Sequence, residues 1–127
     1  MLELRVEPAV FVERRRHPRV PLSAQVRLQL ENDTNIFVLH GAIADISLGG
    51  MGLPLVHPME VGVKVTLDIS FPVIGAAGIK NVTVRGKTIY SEYIEGVHYQ
   101  GIEFDQELNP KGQPDLYSRI QHILESF

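Results

Sequence analysis

Two short constellations carry residues with chemistry to offer. "RRRHPR" places four arginines and a histidine between Arg14 and Arg19. "DISLGGMGL", residues 45 to 53, spaces Asp45, Ser47 and the glycines Gly49, Gly50 and Gly52. Arginine forks bidentately onto phosphate, donates to guanine O6 and N7, and stacks on purine faces. A carboxylate is the natural acceptor for a guanine's Watson–Crick edge, whose N1–H and N2–H₂ are adjacent donors, and it is a poor phosphate ligand. Together the stretches suit a ligand with both anionic and guanine-like parts.

Each stretch alone has a plainer reading. Pro18 and Pro21 rule out a regular helix through the arginines, because each lacks an N–H and biases its predecessor toward extended geometry. On an extended chain Arg15 and Arg19 lie up to about 13 Å apart, a span for two separate ligand groups. By itself this is a solvated basic linker ahead of a domain. Asp45 and Ser47 point to the same side of an extended segment, and the glycines allow a planar ligand close approach. By itself that is a turn, with Asp and Ser capping local N–H groups.

The bulk of the chain narrows the choice. Its 127 residues make one domain with a real core, and its net charge of −3 excludes a general nucleic-acid binder. Any anion site must therefore be local. No apolar run approaches the roughly 18 residues of a membrane span. The start, "MLELRVEPAVFV", carries acids early and lacks the pattern of a secretory signal. With no cysteine there is no disulfide framework and no thiolate metal site, which fits a cytoplasmic protein.

The elements that must position these residues are mostly strands. In "VKVTLDISF" (63 to 71), Val63, Val65, Leu67, Ile69 and Phe71 alternate with polar residues, the trace of a strand with one buried face. "QVRLQL" (25 to 30) alternates likewise, and the more continuously apolar 35 to 47 reads as a further strand segment. In "VTVRGKTIY" and "VHYQGIEF" the apolar phase changes at Gly86 and Gly101, which predicts a bulge or bend at each glycine, Ile89 inward and Tyr90 outward. About six strands with such bends favour a small antiparallel barrel. Residues 115 to 127 space Leu116, Ile120, Ile123, Leu124 and Phe127 as an amphipathic helix capped by Asp115.

The ordered pair Arg15-x-x-x-Arg19 and Asp45-x-Ser47-x-x-Gly50 resembles the RxxxR and [D/N]xSxxG motifs of the PilZ domain, a bacterial receptor module for cyclic di-GMP (c-di-GMP). The resemblance runs from about Glu13 to Phe104. It implies a mainly β fold, a six-stranded antiparallel PilZ-type barrel with a C-terminal α-helix, preceded by an arm over 1–12. By similarity, Arg15 and Arg19 clamp phosphates and guanine edges, and Arg14 adds charge or stacking. Asp45 and Ser47 hydrogen-bond a guanine, and Gly50 keeps its strand clear. Tyr90 stands where family members often place a flat side chain under a guanine. Gly101, in a "GIxF"-like strand, is expected as a barrel bend rather than a contact.

The resemblance further implies a cytoplasmic bacterial sensor. Its arginine segment folds over c-di-GMP, and with nothing fused on either side a separate effector protein reads the change. No cofactor or metal, no DNA or RNA and no membrane span are expected, and the protein is a monomer or homodimer. The alternatives are a PilZ-like interaction module of the kind found in type IV pilus biogenesis, independent of c-di-GMP, and a single-strand nucleic-acid binder. Against the latter stand the acidic balance and an aromatic set of only four tyrosines and five phenylalanines. An enzyme is not expected. His17, His40, His57, His98 and His122 lack metal-binding spacing, and Asp45 and Ser47 have no evident base partner.

Overall fold

The computed structural model describes residues 17–31, 36–39, 42–55, 59–73 and 78–126. The 1–12 arm, Arg14 and Arg15 lie outside the described residues. Eight strand segments precede one helix: β1 (Val20–Ser23), β2 (Gln25–Leu30), β3 (Ile36–Leu39), β4 (Ala42–Ile46), β5 (Gly50–Leu55), β6 (Lys64–Pro72), β7 (Ile79–Ile94), β8 (Val97–Phe104) and α1 (Pro114–Glu125). All pairings are antiparallel, in the order β1-β4-β5-β8-β7-β6-β2-β3.

This order explains the curl. β1 ends one side of the sheet while β2, separated from it only by Ala24, pairs with β6 near the other. Two consecutive segments of one chain can occupy both places only if the sheet rolls round on itself. The count differs from the expected six. The 35–47 run supplies two segments, β3 against β2 and β4 against β1, and β1 and β2 count as one only as a strand bent at Ala24, which leaves seven.

The alternation in β6 is as expected: Val65, Leu67, Ile69 and Phe71 are buried between less buried neighbours. Val20, Leu22, Val26, Leu28, Met51, Leu53, Val84, Ile102 and Phe104 face them across the interior. Leu116 and Ile120 of α1 join this cluster, so the helix closes the core with its apolar face. Its N-cap is Gln113, with Pro114 opening the first turn. The expected cap Asp115 lies inside that turn, where its carboxylate favours the positive end of the helix dipole instead.

The phase change expected at the two glycines is absent. Val84, Gly86 and Thr88 keep one inward phase along β7, and Gln100, Ile102 and Phe104 keep one along β8, with Tyr99 outward. The register shift between these strands falls instead between Thr88 and Tyr90. Ile89 is the extra residue of this bulge. It therefore turns outward beside Tyr90 rather than inward, and is 38% exposed. The glycines answer to neighbouring strands. A side chain at Gly86 would run into the Glu103 backbone carbonyl, and one at Gly101 into the Tyr90 ring.

Candidate functional site: an arginine over a glycine floor

Four paired strands set one row of residues across the outside of the barrel. Asp45 on β4 pairs with Gly52 on β5, Gly52 with Gly101 on β8, and Gly101 with Tyr90 on β7. With strands spaced about 4.8 Å apart, Asp45 and Tyr90 stand some 14 Å apart at the backbone, with no side chain between them. The Tyr90 ring lies down over Gly101, and Arg19 and Asp45 reach over Gly52. A β-carbon on Gly52 would stand 2.7 Å from Asp45 Oδ1 and 3.2 Å from Arg19 Nη1. The clearance expected of Gly50 is thus at Gly52. Gly50 is buried and faces the backbone carbonyl of Ile102, where its lack of a side chain lets β5 and β8 approach.

Arg19 organises the row. It lies just before β1, whose Pro21 pairs with Asp45, so the strand register delivers the guanidinium to the carboxylate. Nη1 donates to Asp45 Oδ1 at 2.9 Å and to the Tyr90 hydroxyl at 3.3 Å. Asp45 Oδ1 also accepts the Gly52 N–H at 3.1 Å. The Arg19 side chain is only 12% exposed, against 50% for Asp45, and its Nε is buried with no hydrogen-bond partner among the described residues. Burial works to lower the guanidinium pKa, but the Tyr90 hydroxyl and the Asp45 carboxylate more than offset it and raise it above its ordinary value. Arg19 is a fixed positive charge.

Two clefts share Arg19 as a wall. One, of about 280 Å³, is lined by Arg19, Asp45, Gly52, Tyr90, Glu92, Ile94 and Tyr99. The other, of about 190 Å³, takes in His17, Ser47, Gly49, Gly50 and Ile89. The bulge in β7 therefore gives Tyr90 to one cleft and Ile89 to the other. Two larger depressions, of about 370 and 610 Å³, lie beside Lys64 and Asp105 and include neither Asp45 nor Tyr90.

Ser47 has a structural task as well. It is buried in the β4–β5 turn, where its Oγ accepts the Gly49 N–H at 3.2 Å and lies 3.4 Å from the Gly50 carbonyl. The Phe104 N–H donates to the Gly49 carbonyl and the Leu108 N–H to that of Leu48, so the turn is tied to the chain leaving β8. His17 packs near Gly49, and its Nε2 lies 2.9 Å from Glu107 Oε2 without hydrogen-bond geometry.

Beneath Tyr90, two buried polar side chains hold the bulge. Gln100 Nε2 donates to the Tyr90 carbonyl at 2.6 Å while its Oε1 accepts the Met59 N–H at 3.2 Å. Thr88 Oγ1 donates to the Glu60 carbonyl at 2.5 Å and accepts the Val63 N–H at 2.9 Å. A bulge interrupts the strand ladder, and these side chains bond the backbone groups around it and before β6.

The structure thus brings Arg19, Asp45, Tyr90, Ser47 and Gly50 to one face. Sequence reasoning missed Glu92, Ile94, Tyr99 and Ile89 as lining residues. Their only signal was outward parity on β7 and β8, hidden by the misplaced bulge. Among the described residues no group of His, Asp or Glu could hold a metal ion, and no helix is long and apolar enough to cross a membrane.

Among solved structures, Bacillus subtilis Inhibitor of motility (MotI/DgrA) superposes with a TM-score of 0.66 at 17% identity, over 90% of this chain and 53% of its own. The chain thus spans about half the length of that protein. The PilZ domain with c-di-GMP of YcgR from Escherichia coli superposes with a TM-score of 0.61 at 18% identity, over 90% of this chain and 94% of its own. Curated proteins yield no match. The family model of the PilZ domain matches residues 13–122, which cover the arginine segment, the glycine-floored row and most of the helix, and the chain belongs to the PilZ domain family.

Proposed function

We propose that the protein is a c-di-GMP receptor that binds its ligand across the Arg19 clefts without chemical turnover. The observation that carries this reading is the Arg19–Asp45 pair. It joins the last arginine of one motif to the acid of the other over Gly52, beside the Tyr90 ring that lies over Gly101. A flat base fits against the Tyr90 ring in this cleft, and the Arg19 guanidinium supplies charge-assisted donors for its edge or for a phosphate. Arg14 and Arg15 supply further charge for the phosphates. Tyr90 offers its ring for stacking, Asp45 fixes Arg19 and faces a guanine, and Ser47 and Gly50 set the turn that holds Asp45 in place.

Binding draws the Arg14–Arg15 segment onto the barrel, and an effector protein reads that movement. YcgR's PilZ domain is solved with c-di-GMP, which supports the ligand assignment for the shared fold.

Calorimetric titration of the full chain with c-di-GMP, with GTP as control, tests the reading. Micromolar or tighter binding absent for GTP supports it, with the stoichiometry giving one ligand or a pair. Silence with both nucleotides and no thermal shift overturns it in favour of an interaction module. Trypsin tests the movement: bound c-di-GMP should slow cleavage after Arg14 and Arg15, and an unchanged rate would remove that step.

A further inference from the structure

Glu92 lines the Tyr90 cleft from two residues further along β7, and its cross-strand partner is Tyr99. Along a strand this places it about 7 Å beyond Tyr90 on the same face, close to the long dimension of a purine. Its carboxylate is exposed to solvent and has no hydrogen bond or ion pair among the described residues, so only water must leave it when a ligand enters. Asp45, the other acid of the cleft, is answered by Arg19 and by the Gly52 N–H.

A carboxylate in a cleft that receives a dianion repels its ligand unless it meets hydrogen-bond donors that replace its water. Of the purine edges, guanine alone offers two adjacent donors, N1–H and N2–H₂, to the two oxygens of a carboxylate, and a charged acceptor strengthens both bonds. Adenine presents N6–H₂ beside the acceptor N1, which faces a carboxylate lone pair against lone pair. Ile94 and Tyr99 line the same cleft and supply apolar surface for the ring.

We propose that Glu92 is a specificity-determining residue that reads the Watson–Crick edge of a guanine and rejects adenine. This deepens the c-di-GMP reading and rests on it. Asp45 then holds the arginine beside the base, and Glu92 reads the Watson–Crick edge. A glutamine at this position would narrow the preference, because its amide offers one donor and one acceptor to match N1 and N6–H₂ of adenine.

The test is calorimetric titration of wild type, Glu92→Gln and Glu92→Ala with c-di-GMP and with cyclic di-AMP. Wild type should prefer c-di-GMP by about a hundredfold or more, as expected where a site pairs with the donors of one base and opposes the other. Glu92→Gln should lose about tenfold or more toward c-di-GMP without losing affinity for cyclic di-AMP, and Glu92→Ala should lose the first without gaining the second. Equal losses toward both ligands, or a preference unchanged in both variants while wild type binds c-di-GMP, would overturn this role alone. A wild type that binds neither nucleotide overturns the receptor reading, and this inference with it.

Discussion

Tyr90 and Arg19 meet at 3.3 Å, phenolic oxygen to Nη1, across 71 residues of sequence. Neither would reach the other without the extra residue Ile89, which sets Tyr90 on the outer face, or without Gly101, whose missing side chain lets the ring lie flat. The contact also helps hold the guanidinium charged against its burial. Side chains held together in this way lower the entropy cost of binding any ligand that uses them.

Removing Arg19 should abolish most of that advantage. Arg19→Ala is expected to weaken c-di-GMP binding by about 1.5–3 kcal/mol, the range for a hydrogen bond to a charged group. Thermal denaturation should change little, since Arg19 lies before β1 and outside the apolar core. Calorimetry and circular dichroism on one preparation check both halves of this statement.

At Tyr90 the ring and the hydroxyl separate cleanly. Tyr90→Phe keeps the surface over Gly101 and removes only the acceptor for Arg19, a change of about 0.5–1.5 kcal/mol. Tyr90→Ala removes the stacking face too and should cost a further 1–3 kcal/mol or so, the range for a base on an aromatic ring. Equal affinities for the two variants would show that the ring does not stack.

The glycines should divide into two kinds. At Gly50 a β-carbon meets the Ile102 backbone carbonyl, which cannot swing aside, so Gly50→Ala should lower stability by about 1–3 kcal/mol. At Gly52 it meets the ends of the Asp45 and Arg19 side chains, which can move. Gly52→Ala should keep its melting temperature and lose ligand affinity. Paired melting curves and titrations distinguish the two.

Gln100→Leu tests the support beneath Tyr90. It leaves the Tyr90 carbonyl and the Met59 N–H without their side-chain partner, at a cost of about 1–3 kcal/mol in stability. If Gln100 acts on the ligand through Tyr90, its further effect on affinity should vanish in a Tyr90→Ala background. A double-mutant cycle measures that coupling.

Much of this was legible in the sequence, and the misses share a cause. The alternation of β6 and the spacing of Leu116 and Ile120 are local patterns, and they led directly to the strand and the helix. The motif pair singled out Arg19 and Asp45, which the structure brings into contact. The bulge was assigned to glycine, whose backbone freedom is the usual signal, but it formed at Ile89, a β-branched residue with no such mark. Gly86 and Gly101 are needed by the strands beside them, and only the cross-strand register reveals that. Glu92 and Tyr99 enter the cleft through the same register.

The pairing of Gly52 with Gly101 has a consequence for how the chain assembles. β1 to β5 and β6 to β8 meet along two ladders, β2–β6 and β5–β8, and the second of these is the seam between the two halves of the chain that runs beneath the cleft. Arg19 and Asp45 belong to one half, Tyr90 and Glu92 to the other. A molecule bound over the glycine floor would stitch the seam, and its affinity would add to the stability of the joined state by mass action. Cut between β5 and β6, the two fragments would become a split receptor whose reassembly is driven by the nucleotide.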